Sequence, residues 1–499
     1  MKFTTLALCS TLGMALTSAA VWGLTPPKAQ AKSAATTTAK ASVTAPATEP
    51  SGGGLAGLFS SEKKRGATFS VGDTLHVDGR LGHAALAAEA GGETFLMLTI
   101  GAAADQVAST TAPVNLSIVV DRSRSMEGQR MANALDAARG MVRRLRPGDS
   151  VSVVTYNSST DVLVPSTVID DRTRGDVLFS LRGVEARGHT CISCGLEAGI
   201  TAMSRRPGSV NRMLLLSDGE ANFGVRDVDG FRRIAESARS SDIAISTVGV
   251  DVDYNERVMF AVAQASTGRH YFVENTASLP KIFDEELSSL VNTVVNDARV
   301  EVDLAPGVAV LEVLDRSFRQ DGNRLIVPFG SFAAGEKKTL LVRLRVPAGP
   351  EGERNVADVR TLYDDLARDT PGECQGQLVA ALTDRQGVQA ELDPIVEARV
   401  ARSETAASLT RANALFSQGD VAAARQELGD NRGRIRRRKA RASKKSSGNL
   451  KDVLGGDFEK QLKSLDEAER GFNEAPTPTS RKGKAQIRSN AGQLDELGL

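Results

Sequence analysis

The sequence predicts a doubly wound, mostly parallel α/β sheet, inserted in or flanked by an antiparallel β-sandwich and followed by a C-terminal helical segment. Three observations carry this. Between residues 113 and 297 the apolar runs "NLSIVV", "VSVVTY", "RMLLLS" and "IAISTVGV" alternate with helical stretches. Strands apolar on both faces, each followed by a helix, belong to a parallel sheet covered on both sides. From residue 298 to about 385 come "RVEVDL", "VAVLEVL", "NRLIVPF", "KTLLVRLRV", "NVADVRTLY" and "GQLVAALT", patterned as strands. A few more strand candidates, among them "TLHVDGRL" and "TFLMLTI", lie in residues 67–112. Neither strand fragment should leave its edges bare, so the two are expected to form one sandwich interrupted by the α/β segment.

The first helix of the α/β segment is legible in Met131, Leu135, Ala138, Met141, Val142 and Leu145, which recur at helical spacing until Pro147-Gly148-Asp149 breaks the pattern. Beyond the sandwich, residues 390–430 read as a helical hairpin turning at Gly419-Asp420, like a single tetratricopeptide-type unit. A further helix is expected over 455–474, around Phe458, Leu462, Leu465 and Phe472. Residues 431–450 read as a basic linker and 475–499 as a disordered tail.

The chain has 499 residues, with 62 Lys+Arg against 61 Asp+Glu and a formal charge of +1. No global field therefore draws it to nucleic acid or membrane, and no nucleic-acid partner is expected. Lys2, the apolar run from Phe3 to about Leu24 and the small-residue pattern Ala29-Gln30-Ala31 read as a signal peptide over 1–31. Export to the periplasm or cell surface follows, with an uncleaved N-terminal membrane anchor as the alternative. Residues 32–66, rich in Ala, Thr, Lys, Pro, Ser and Gly, read as a disordered linker.

The chemistry gathers at strand ends. Asp121 closes the first α/β strand, and Asp121-Arg122-Ser123-Arg124-Ser125 places one carboxylate and two hydroxyls at alternate positions of a tight loop, a donor set suited to a hard cation. Thr190 precedes another helix and Asp218 closes "RMLLLS" plus one residue. All three segments lie beyond the carboxyl ends of strands, where open α/β sheets bind ligands.

The pattern D-x-S-x-S, then Thr, then Asp resembles the metal-ion-dependent adhesion site of the von Willebrand factor type A domain, a Rossmann-like fold. The resemblance implies Mg²⁺ or Mn²⁺ held by Asp121, Ser123, Ser125, Thr190 and Asp218, with a partner protein's Asp or Glu completing the coordination. It implies adhesion or envelope assembly rather than catalysis, and no general base or activated nucleophile stands beside the motif. The β-rich flanks are similar in order to inter-alpha-trypsin inhibitor heavy chains and bacterial relatives.

Several neighbours depart from the family pattern. Arg122 and Arg124 flank the serines; their side chains are expected either to point to solvent or to form a basic partner rim together with Glu220, Asp251 and Asp253. Asp251, Asp253 and Glu256 follow another strand end, where a second metal is conceivable and a helix cap is the simpler role for Asp253. Cys191 and Cys194 follow Thr190 directly and read as a local disulfide or a pair of buried thiols. The alternative is thiol–disulfide oxidoreductase chemistry at a helix start. His189 with two cysteines falls short of a closed zinc site. The cations between Arg432 and Lys445 offer an anionic-surface contact on the cell envelope. A metal-independent structural scaffold is the third functional reading.

Overall fold

The computed structural model describes residues 67–69, 72, 74–104, 112–204, 206, 208–384, 392–475 and 477–496. The expected signal peptide and linker at 1–66 lie outside the described residues. No helix among the described residues is long and apolar enough to cross a membrane.

Four strands open the described chain: β1 (Ala67–Phe69), β2 (Leu75–Leu81), β3 (Ala85–Ala87) and β4 (Gly92–Ala102). β2 pairs with β4, and the others find partners some 200 residues later, among β11 (Thr293–Leu304), β12 (Ala309–Leu314), β13 (Arg319–Asp321), β14 (Arg324–Ala333), β15 (Lys337–Val346), β16 (Gly352–Asp365) and β17 (Thr370–Thr383). One sheet runs β12-β15-β4-β2, the other β1-β17-β16-β11-β14-β13, with β3 beside β17. Leu96, Leu98 and Ile100 of the first sheet share a core with Val300, Val302, Val327, Val359 and Leu378 of the second. The α/β segment thus interrupts one sandwich. Separate burial of either fragment would strand β4 without β15, whose ladder runs from Gly92–Val346 to Gly101–Lys337.

The inserted segment builds β5 (Val114–Asp121), β6 (Ser150–Tyr156), β7 (Thr160–Val168), β8 (Val210–Ser217), β9 (Ala244–Val250) and β10 (His270–Val273). The sheet order is β10-β9-β8-β5-β6-β7, all parallel except β7, which pairs antiparallel with β6. Both faces are covered because both strand faces are apolar. On one face Leu116, Ile118 and Val120 pack with α1 (Gln129–Arg144), α2 (Asp171–Ser180) and α6 (Leu279–Val291). On the other, Val119, Met213 and Leu215 pack with α3 (Ile192–Ala202), α4 (Val228–Ser240) and α5 (Glu256–Ala265). Strand order reverses between β5 and β8, and this reversal opens the crevice used below.

His270 of β10 is buried. The Thr247 hydroxyl donates to the Met259 carbonyl at 3.0 Å, so it accepts from His270 Nδ1 at 2.8 Å, while Nε2 accepts from the Tyr254 hydroxyl at 3.0 Å. Burial, then the nearby Arg488, holds the imidazole down at about 3. The unfolded chain, at about 6.5, therefore binds the extra proton first. His270 contributes its full stability above about pH 6.5, and that contribution falls by up to about 1.4 kcal/mol per unit toward pH 3. Urea titrations of His270→Gln should show a flatter pH dependence in that window; an unchanged slope would contradict this role.

Beyond the sandwich the structure departs from expectation twice. The hairpin is present as α7 (Pro394–Ser417) and α8 (Val421–Lys445), capped by Asp393 and Asp420, but α8 runs straight through the expected basic linker. Several of its cations are paired from both sides: Arg432 with Asp466 and Glu469, Arg438 with Glu404, Arg441 with Glu397 and Lys439 with Glu459. The carboxylates come from α7 and from α9 (Gly448–Glu474), so repulsion no longer opposes the helix. Residues 481–496, expected as disordered, form α10 (Arg481–Glu496). It is held by Asn413, whose amide donates to the Ile487 carbonyl at 3.0 Å and accepts from Asn490 at 2.8 Å. The start of α7 packs Ile395, Val396 and Val400 against Met97 and Leu341 of the sandwich.

Candidate metal centre

The five expected donors meet at the strand-order reversal. Asp121 ends β5 and Asp218 follows β8, its sheet neighbour. Asp121 Oδ1 accepts from the Ser123 backbone N–H at 2.8 Å, and Oδ2 from Ser217 Oγ at 2.8 Å. These bonds aim the carboxylate and curl the loop after it. The Ser123 and Ser125 hydroxyl oxygens lie 3.0 Å apart, and Ser125 Oγ donates to Asp218 Oδ1 at 2.6 Å. Thr190 arrives from the third segment. A Cβ placed on Gly219 would stand 3.2 Å from Thr190 Oγ1 and 3.7 Å from Ser125 Oγ, so both hydroxyls border one small space.

This donor set fits a hard divalent cation: two carboxylates and three neutral hydroxyls around a common point, with no sulfur or imidazole among them. Burial is the main force raising both carboxyls, Asp121 up to about 7 against its own hydrogen bonds, and Asp218 in the same direction. Two carboxylates so close and so poorly solvated hold a bound cation by relieving their own desolvation. When bound, the cation would offer Lewis-acid coordination to an external oxygen ligand. Among the described residues no group of three His, Cys, Asp or Glu side chains could hold a metal ion; a cation here would need the hydroxyls as well as the two carboxylates.

Thr190 is fixed by a loop that sequence reasoning passed over. Its N–H donates to Asn222 Oδ1 at 2.9 Å, and its carbonyl accepts from the N–H groups of Asn222 and Phe223 at 3.1 and 3.2 Å. Cys191 and Cys194 form a disulfide across the first turn of α3, while Cys374 is a buried free thiol. The disulfide packs beneath the same loop. A Cβ on Gly224, whose φ is +75°, would lie 2.5 Å from Ser193 Oγ and 2.7 Å from Cys191 Sγ. Ser193 Oγ accepts from the Val225 N–H at 3.1 Å. The disulfide, residues 222–225 and Thr190 therefore form one braced unit. Gly224→Ala combines a left-handed backbone with an overpacked contact and is expected to cost roughly 1–3 kcal/mol. Denaturant melts against wild type decide this, since a cost within experimental error would mean the brace is slack.

The neighbours expected at the rim fare differently. Arg122 neither points to solvent nor joins a rim. Its side chain is buried and pairs with Asp161 of β7, because its backbone follows β5 into the sheet edge, where Arg122 N–H donates to the Tyr156 carbonyl at 2.7 Å. Arg124 and Glu220 are exposed. Asp251 is buried and, with Asp253 and Glu256, is covered by α10: Arg481 pairs with Asp251 at 3.0 Å, Lys484 with Asp253 at 2.6 Å, and Arg488 with Glu256. These carboxylates do not gather on a second metal; Asp251 is closed to a partner by burial, whereas Asp253 keeps an exposed side chain beside Lys484. Asp253 does not cap α5 either; Asn255 does, accepting from the Val258 N–H at 3.2 Å.

Arg130 of α1 is the residue the motif concealed. Its guanidinium donates to the Ser125 carbonyl at 3.0 Å and to Asp218 Oδ2 at 2.9 Å, and also pairs with Asp251. Its signal in the sequence was faint: a cation on the first turn of the helix that leaves the metal loop. Phe223 was equally silent, an aromatic side chain 51% exposed on the loop that holds Thr190.

Comparison with known proteins agrees with the fold. Residues 115–285 match the model of the von Willebrand factor type A domain. The chain is 24% identical over 332 residues to an uncharacterized protein of Synechocystis, covering 64% of this chain and 76% of that one. It is 25% identical over 269 residues to inter-alpha-trypsin inhibitor heavy chain H1 of Mesocricetus auratus, covering 50% of this chain but only 28% of the relative. Among solved structures, a von Willebrand factor type A protein from Catenulispora acidiphila has a TM-score of 0.66 at 17% identity, over 85% of this chain and 97% of that one. The ArnB paralog VWA2 of Sulfolobus acidocaldarius has a TM-score of 0.59 at 15% identity, over 85% and 99%. Those two likenesses extend through sandwich and helices as well as the central domain. Residues 115–285 of this chain are a von Willebrand factor type A domain.

Proposed function

We propose that this chain is an exported protein-binding module of adhesion or envelope assembly, which docks an acidic side chain of a partner through Mg²⁺ or Mn²⁺ held by Asp121, Ser123, Ser125, Thr190 and Asp218. The convergence of five oxygen donors from three segments at the strand-order reversal carries this reading. Two carboxylates and three hydroxyls leave a divalent cation short of ligands on its outer side, where Ser125 is exposed, and a carboxylate from outside completes both charge and coordination. Phe223 and Arg124 stand beside that opening as the contacts a partner meets next; an exposed aromatic at the centre of a contact is a common anchor. Arg130 competes with the cation for Asp218, so its removal tightens metal binding.

The test uses the full chain in cross-linking capture from intact cells. A specific partner should be retained with Mg²⁺ and lost with EDTA, and lost again in Asp121→Ala. Phe223→Ala should weaken capture at least tenfold while leaving metal affinity unchanged. Capture indifferent to both EDTA and Asp121→Ala would favour the metal-independent scaffold.

A further inference from the structure

A second concavity lies well away from the metal centre. It opens between α5, β10 and α6 of the von Willebrand domain and β14, β15 and the segment after β12 of the sandwich, with a volume of about 500 Å³. Pockets of roughly 300–1,000 Å³ at such domain junctions are where small molecules bind. Its walls carry Arg212, Arg269, Arg316, Lys337 and Lys338 against the carboxylates of Glu285, Asp315 and Glu336, an excess of cations in a chain whose total charge is near zero.

The carboxylates do not cancel that excess. Asp315 is drawn outward by Arg399 of α7 at 3.0 Å and by Ser403. Glu336 is shared between Arg269 at 2.9 Å and Lys338 at 3.9 Å. Arg316 lies flat over the Phe329 ring at 4.2 Å and gives only its Nε to the Thr339 carbonyl at 2.6 Å; it has no ion pair among the described residues. Arg212, buried to 6% exposure, is ion-paired with Glu286 at 3.5 Å and donates to Ser246 and Ser331, but its Nε makes no hydrogen bond. A native structure seldom leaves a buried charged donor unsatisfied without a reason. Burial, opposed by Glu336 and reinforced by Arg316, Arg212 and Arg269, holds Lys338 down at about 8. An incoming negative group would relieve that crowding.

We propose that this junction is a binding site for a small organic oxyanion, a molecule bearing a phosphate or carboxylate group, with Arg316 as its principal charge partner; Lys338, whose ammonium already donates to the Phe329 and Ser331 carbonyls at 3.0 and 2.5 Å, adds positive charge from behind. Phe260, Tyr271 and Phe329 supply an apolar wall for the body of the ligand, and the hydroxyls of Ser289 and Ser331 supply polar contacts. Because the walls belong to both domains, the ligand would tie the inserted domain to its sandwich. This site is independent of the metal reading.

The experiment titrates the full chain with inorganic phosphate, pyrophosphate and succinate at constant ionic strength, by calorimetry and thermal shift. At least one should bind saturably, with affinity reduced about tenfold or more in Arg316→Gln, where a charge-assisted contact is lost. Lys337→Glu, at an exposed position of the rim, should weaken it severalfold, and Arg343→Gln on β15 should not. Binding of phosphate and pyrophosphate alone identifies a phosphoryl ligand; binding of succinate alone identifies a carboxylate. No saturable binding of any probe, or equal binding by wild type and Lys337→Glu, would overturn the proposal.

Discussion

Saturating Mg²⁺ should stabilise the protein by about 2.7 kcal/mol at a concentration a hundredfold above its Kd, or roughly 5–10 °C in the melting of a domain this size. Asp121→Ala should abolish the shift. The physical reason is the burial of the two carboxyls, which holds Asp121 near 7 while Asp218 leans on Arg130. Without a cation both carboxylates are under-solvated, so their removal costs the metal-free fold little beyond the bonds from Ser123 and Ser217. Asp121→Asn keeps an acceptor for those donors and separates loss of metal from loss of local structure. Equal shifts in wild type and both variants, measured by calorimetry with and without Mg²⁺, would sink the metal assignment.

Glu286→Ala should cost about 3–5 kcal/mol, since removing one member of a buried ion pair leaves the other charge uncompensated. Glu286 is 1% exposed, accepting from Ser246 Oγ at 2.6 Å and the Tyr271 hydroxyl at 2.7 Å, with Arg212 beside it. Arg212 in turn reaches Ser331 of the sandwich at 3.2 Å, so the loss is felt at the junction of the two domains. The double variant Glu286→Leu with Arg212→Met should recover most of the stability, because it removes both desolvated charges together. Denaturant unfolding of the two singles and the double forms the cycle; a Glu286→Ala cost below about 1 kcal/mol would show that Arg212 finds other partners.

The α10 contacts bear on how the metal face is presented. Arg481 holds Asp251, Asp251 holds Arg130, and Arg130 holds Asp218. A C-terminal helix and a metal ligand are thereby joined through two shared charges. The disulfide adds a second support from the opposite side, bracing Thr190 through residues 222–225.

What the sequence by itself determined was whatever is written in short-range pattern. Doubly apolar strands announced a covered parallel sheet, and helical spacing located α1. The D-x-S-x-S loop with Thr190 and Asp218 pointed to five oxygen-bearing residues that the fold brings together, because each closes a strand or opens a helix and topology then joins those ends. Cys191 and Cys194, three residues apart, also carried their pairing locally. Tertiary structure decided everything that depends on a distant countercharge. Arg122 looked like a surface cation until Asp161 drew it inward. The basic run beyond Arg432 looked like a linker until carboxylates of α7 and α9 paired with several of its cations in α8. Residues 481–496 read as part of a disordered tail, yet they fold against Asp251, Asp253 and Glu256 of another domain. A charge read along the chain has only a sign; its role is set by which opposite charge the fold places within reach, and how little water is left between them.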